Sequence, residues 1–96
     1  MNLPIEKLII CADDFGISPG VNQTITNAYN NGLITHTSIL ANSAHFDDAI
    51  KLILETPELK LGLHINLTGG KPVLPASQVP NLVNSKGNFK FGPVGL

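Results

Sequence analysis

The segment Cys11-Ala12-Asp13-Asp14-Phe15-Gly16 sets two adjacent carboxylates after the apolar run Leu8-Ile9-Ile10 and before a glycine turn. A short apolar run with β-branched residues reads as a fully buried strand. Carboxylates at the C-terminal mouth of a parallel sheet lie where α/β folds gather reactive groups. Side by side they repel, and a cation or a proton between them makes the pair tolerable. A second segment, Leu61-Gly62-Leu63-His64-Ile65-Asn66-Leu67-Thr68, has the texture of a strand. Alternation sends its four apolar residues to one face and Gly62, His64, Asn66 and Thr68 to the other. In a barrel, His64 and Asn66 would then converge with Asp13 and Asp14 at one end of the sheet. Carboxylate plus imidazole suits a divalent metal such as zinc, manganese or magnesium. Two protein ligands fall short of the three that catalytic metal sites usually offer.

Plainer readings compete. The Asp pair also fits a solvated turn in which Asp14 caps a helix. His64 also fits a buried histidine satisfied by hydrogen bonds. His36 and His45 read as structural or exposed, and Cys11, inside the first strand, as core. Gly69-Gly70-Lys71 lacks the glycine spacing and following helix of a phosphate loop.

The elements that must position these residues follow from local signals. Leu8–Ala12 is the first strand. Ser18-Pro19-Gly20 opens a helix, with serine as N-cap and proline at the first helical position. Val21, Ile25 and Ala28 share one face of it, and Asn31-Gly32 ends it as a glycine C-cap does. Leu33–Leu40 is a second strand. A second helix runs from Ser43 or Ala44 to Glu55, with Phe46, Ala49, Ile50, Ile53 and Leu54 inward. Asp47 and Asp48 in its first turns suit the helix dipole, and Pro57 stops it. Lys60–Thr68 is a third strand. The order β-α-β-α-β with short connections implies parallel strands in an α/β fold. After Thr68 prolines and glycines break all periodicity, so residues 68–96 read mostly as a long loop, with a turn at Ser85-Lys86-Gly87-Asn88.

Composition narrows the function classes. The 96 residues allow one small domain at most. Hydrophobic residues make up 43% and charged residues 14%, the balance of a larger protein's interior rather than of a small complete domain. Net charge is −1 and there is no arginine, which argues against nucleic-acid binding. Cys11 alone leaves no internal disulfide and suits a reducing, cytoplasmic compartment. Met1–Lys7 lacks the basic start of a signal peptide. No apolar run approaches the ~20 residues of a membrane span.

Several ordered motifs together carry a resemblance. The run Ile9-Ile10-Cys11-Ala12-Asp13-Asp14-Phe15-Gly16-Ile17-Ser18-Pro19-Gly20-Val21-Asn22 resembles the opening of the YdjC-like carbohydrate deacetylases, which include chitooligosaccharide deacetylases. Asn31-Gly32-Leu33-Ile34-Thr35 through Thr37-Ser38 is similar to their second strand, and Ala41-Asn42 to the turn after it. Leu61 through Pro72 is similar to their third strand and its exit. Val79-Pro80, Leu82-Val83 and Gly87-Asn88-Phe89 are similar to the loop beyond. Relatives tend to carry asparagine in place of Cys11.

The resemblance implies a TIM-barrel-like (β/α) fold, of which residues 1–96 would be the N-terminal segment of a single deacetylase domain. It implies a hydrolase that removes acetyl groups from N-acetylated sugars or chitooligosaccharides, with a divalent metal, magnesium or zinc, held by one aspartate and two histidines. By motif position Asp14 is the aspartate ligand, His64 the first histidine and Asp13 the general base; the second histidine lies beyond this chain. Asn42 and Asn66 are candidates for hydrogen bonds to sugar hydroxyls. A homodimer is also implied. The competing expectations are a metal-dependent phosphoesterase built on the same Asp-Asp and His, and a non-catalytic fragment.

Overall fold

A computed structural model describes residues 4, 6–92 and 94. Its elements are β1 (Cys11–Phe15), α1 (Pro19–Asn30), β2 (His36–Leu40), α2 (Phe46–Leu54) and β3 (Lys60–His64), followed by a single 3₁₀ turn at Ala76–Gln78. The strands form one parallel sheet in the order β1-β2-β3. The expected β-α-β-α-β order is therefore present, with every strand shorter than, or shifted from, its sequence-based bounds.

Helix α1 follows its local code. The Ser18 hydroxyl accepts from the Val21 amide at 3.1 Å, and Pro19 opens the helix. At the other end Gly32 has φ 75. Gly32 N–H donates to Tyr29 O and Leu33 N–H to Ala28 O, the paired bonds of a Schellman cap. Leu33 thus belongs to the cap, and β2 begins only at His36. The buried face of α1 is Asn22, Ile25 and Thr26, with Tyr29 packed against the core. Val21 is exposed, which corrects the apolar face expected from Val21, Ile25 and Ala28.

The core joins Phe15, Ile25, Ile39, Ala49 and Leu59, flanked by Tyr29, Phe46, Ile50, Leu52 and Ile53. Full burial of a side chain such as Phe15 contributes about 1.5–3 kcal/mol. The two helices contact each other, and α1 also contacts β1 and α2 contacts β2, so together they cover one face of the sheet. Leu54, expected inward, is exposed. Helix α2 starts at Phe46 because the chain from Ser43 to His45 turns back onto the end of β1: His45 N–H donates to Gly16 O at 3.1 Å.

Two burial expectations are corrected. Leu8, Ile9 and Ile10 precede β1 and are exposed; the ladder starts at the Cys11–His36 pair. Cys11 is exposed and not core. It shares the face of its partner His36, opposite to buried Thr37, and the helices do not cover that face. After β3 the chain is irregular, as expected, apart from the 3₁₀ turn and a bridge between Val83 and Phe89 that closes on Asn84 N–H to Asn88 O. The radius of gyration is 16.4 Å, against about 12 Å for a compact domain of this length.

Candidate active site

The carboxylate pair lies within β1, not after it. Ala12 pairs with Thr37 and Phe15 with Ile39, so two residues of β1, Asp13 and Asp14, stand against one residue of β2, Ser38. That is a β-bulge, a device that bends a strand and re-aims its side chains. In a regular strand, neighbours point to opposite faces. The inserted residue is Asp14, whose φ is 66, the one non-glycine positive φ among the described residues. Aspartate tolerates the left-handed region better than most side chains. Phe15 then returns to the buried face while both carboxylates stay on the side of Ser38.

His64 is the last residue of β3, in register with Leu40. Its Nδ1 lies 3.4 Å from Asp14 Oδ1, with both side chains partly exposed. The contact lacks the alignment of a hydrogen bond, and His64 Nδ1 is a buried nitrogen with no hydrogen-bond partner. Such orphaned groups are uncommon. Asp13 accepts a long, 3.5 Å contact from the Ser38 hydroxyl. Asp13, Ser38, Leu63, His64 and Ile65 line an open cavity of about 410 Å³.

The structure therefore brings Asp13, Asp14 and His64 to one mouth of the sheet. It adds Ser38, which sequence reasoning did not single out. Its signal was its alternation with the buried residues Thr37 and Ile39. Among the described residues no cluster of three or more His, Cys, Asp or Glu side chains could hold a metal ion. Asp14 and His64 are two such donors at the right separation. Two ligand atoms about 2.1 Å from a tetrahedral ion stand about 3.4 Å apart.

Asn42 and Asn66 meet each other and line a cavity that also touches His64. Because β3 ends at His64, Asn66 lies in the exit loop and not on the strand face. Its Oδ1 accepts from Thr68 and Gly69 N–H, and its Nδ2 donates to Gly69 O and to Asn42 Oδ1. Asn42 Nδ2 donates to Lys71 O at 2.9 Å. The two amides thus staple the loop 66–71, and they line two neighbouring cavities of about 320 and 640 Å³. His36 lies at the start of β2, its Nδ1 2.7 Å from Thr35 Oγ1, and His45 caps α2 through its backbone. Neither joins the site.

Comparison with known proteins shows the family of this chain. The family described as YdjC-like protein matches residues 7–94. The chain belongs to the YdjC-like family. A carbohydrate deacetylase of Thermoanaerobacter pseudethanolicus is 40% identical over 88 residues, which are 92% of this chain and 35% of that protein. A carbohydrate deacetylase of Brevibacillus brevis is 42% identical over 86 residues, 90% of this chain and 34% of that protein. A crystal structure from Enterococcus faecalis V583, described provisionally as a cellobiose-phosphate cleavage protein, superposes with a TM-score of 0.78 at 42% identity. That match covers 84% of this chain and 32% of the other. This YdjC-like chain spans about a third of the length of the curated relatives it matches. Among the described residues no helix is long and apolar enough to cross a membrane.

Proposed function

We propose that this chain carries the first half of the active site of a metal-dependent carbohydrate deacetylase that hydrolyses the acetamide of N-acetylated sugars or chitooligosaccharides. The observation that carries the reading is the orphaned His64 Nδ1 held 3.4 Å from the Asp14 carboxylate, with Asp13 at the same mouth. The names of the relatives support the reaction class. In this reading β1, β2 and β3 are the first strands of a TIM-barrel-like (β/α) domain, and a further histidine outside these 96 residues completes the ligand set.

Asp14 and His64 would hold a divalent ion, magnesium or zinc. When bound, such an ion supplies Lewis acidity toward a water and toward the acetamide oxygen. Asp13 is the base in this reading. Its carboxylate is exposed and lines the cavity, and it would take the proton of the attacking water. The Ser38 hydroxyl makes a long contact to that carboxylate at 3.5 Å. Asn42 and Asn66 act on substrate through the loop they hold, which forms a wall beside His64. The substrate would be an acetylated oligosaccharide, and the whole enzyme a cytoplasmic homodimer.

The name of the Enterococcus structure raises a second reading, cleavage of a phosphorylated disaccharide. Bidentate guanidinium contacts are the usual clamp for phosphate, and these 96 residues hold no arginine, so that reading would need its phosphate clamp from a longer protein. The test is acetate release from diacetylchitobiose by the intact protein, with divalent metal and with chelator, alongside release of glucose and of inorganic phosphate from cellobiose phosphate. Metal-dependent acetate release is expected. Release of glucose or phosphate from cellobiose phosphate without acetate release would overturn the reading.

A further inference from the structure

A buried polar cluster directly behind the carboxylates has no part in the chemistry above. Asn22 is fully buried, on the fourth residue of α1. Its Oδ1 accepts from Gly16 N–H at 2.6 Å. Its Nδ2 donates to Asp48 Oδ2 at 2.9 Å and to His45 O at 3.3 Å. His45 N–H in turn donates to Gly16 O. Gly16, Asn22 and His45 thus close a ring of hydrogen bonds that joins the end of β1, the first turns of α1 and the start of α2. Both the oxygen and the nitrogen of the Asn22 amide are engaged, which is the condition for burying an amide without penalty.

This ring grips the residue that follows Asp14 and Phe15 in the turn. Ile17 N–H donates to Asp14 O across the turn Asp14-Phe15-Gly16-Ile17. Upstream of the ring, Asp14 holds a positive φ, a conformation that aspartate tolerates better than most residues but at a cost that its surroundings must offset. Phe15, between them, is fully buried. The turn is therefore pinned at Phe15 by packing and at Gly16 by the ring.

We infer that Asn22 is a positioning residue: by locking Gly16 it keeps Asp14 in its left-handed conformation and its carboxylate beside His64. Asp48 is the anchor that orients the Asn22 amide, so that the oxygen faces Gly16 and the nitrogen faces the carboxylate. The role is one step removed from the reacting atoms, like that of the groups that orient metal ligands.

The inference rests on the reading of Asp14 and His64 as ligands, and its test separates the two. Cobalt(II) titration of the intact protein, followed by visible absorption, reads the ligand pair. Hydrogen exchange at the Gly16 amide reads the lock. Asn22→Ala is expected to speed that exchange and to weaken cobalt binding by about tenfold or more. Asn22→Asp keeps the volume but sets two carboxylates face to face, and is expected to weaken cobalt binding in the same way. Adding Asp48→Asn to it restores a donor to that contact and should recover part of the binding. Ile25→Val alters a buried neighbour on α1 that makes no side-chain bond to the turn. It should lower the melting temperature and leave cobalt affinity unchanged. Equal loss of affinity in Ile25→Val would reduce Asn22 to a stabilising residue and overturn the inference. So would unchanged affinity in Asn22→Ala with fast Gly16 exchange. If the wild-type protein binds no cobalt, the metal reading fails instead. A crystal structure of the Asn22→Asp variant then decides: Asp14 still at positive φ beside His64 refutes the positioning role, and reversion to negative φ supports it.

Discussion

A single methyl group added at Gly16 probes the turn on which the carboxylates depend. Gly16 has φ 107, and a Cβ built there would stand 2.5 Å from Ser43 Oγ and 3.4 Å from Leu40 O. The left-handed conformation costs an L-residue about 1–3 kcal/mol. The close contact adds to this. Ser43 Oγ donates to Leu40 O at 2.7 Å, and pushing it away forfeits a bond worth about 1 kcal/mol. Gly16→Ala should therefore destabilise the fold by roughly 2–4 kcal/mol, a large share of the roughly 5–15 kcal/mol typical of a whole protein. Gly20, four residues on, is the internal control. It lies in α1 with no heavy atom within 4 Å of its built Cβ. Gly20→Ala should be neutral or stabilise by about 0.5 kcal/mol, because alanine is the better helix former. Urea unfolding of the two variants at unchanged m-value measures the contrast. A Gly16→Ala protein within about 1 kcal/mol of wild type, the cost of an ordinary substitution, would refute the description of the turn.

Three further outcomes follow from the site and its supports. Asp14→Ala and His64→Ala should each lower the metal content of the purified intact protein, read by elemental analysis; unchanged content in either removes that residue from the ligand set. Asp13→Asn should keep the metal and lose about 10²–10⁴ in kcat, the usual contribution of a general base; retained turnover would exclude Asp13 from that role. Ser18→Ala removes the acceptor for Val21 N–H and should cost about 1 kcal/mol in thermal unfolding; no change would mean the cap is replaced by water.

Signals that act over a few residues are legible in the sequence. Ser18-Pro19 and Asn31-Gly32 bound α1 because capping is settled by the cap residues themselves. The turn between Val83 and Phe89 is legible for the same reason. What fails depends on which face is covered. Hydropathy passes over Asn22 and Thr26 because they are polar, yet both are buried, and the Asn22 amide is held by hydrogen bonds at both its oxygen and its nitrogen. Cys11 and Leu8–Ile10 look like core by hydropathy, but burial needs a partner surface: the helices cover the face opposite Cys11, and Leu8–Ile10 precede the ladder. The exit loop reads as strand to Thr68 because alternation continues after His64. The Asn66 amide ends the strand by taking the Thr68 and Gly69 amides for itself, a competition between side chain and ladder that periodicity does not register.

The bulge is the case where hydropathy pattern and chemistry part. Two consecutive carboxylates on a regular strand would face opposite sides of the sheet, one toward the helices and one toward the open mouth. The helix-facing one would lie among Phe15, Ile39 and Ala49, where an unpaired charge is prohibitive. The register from Ala12–Thr37 to Phe15–Ile39 removes that conflict by opposing Asp13 and Asp14 to Ser38 alone. It does so at the expense of a strained φ at Asp14, and strain of this kind persists only where the surroundings hold it. The surroundings are Phe15, sealed in the core, and Gly16, gripped by Asn22 and His45. Phe15 and Gly16 after the Asp pair are thus as necessary to the site as the carboxylates: the first pulls the chain back to the core, and the second accepts a conformation that strains any side chain. The placing of Asp14 beside His64, with Asp13 at the same mouth, is a property of the whole Asp13–Gly16 turn and of the helix residue that locks it, so the chemistry of the mouth is decided as much behind the sheet as in front of it.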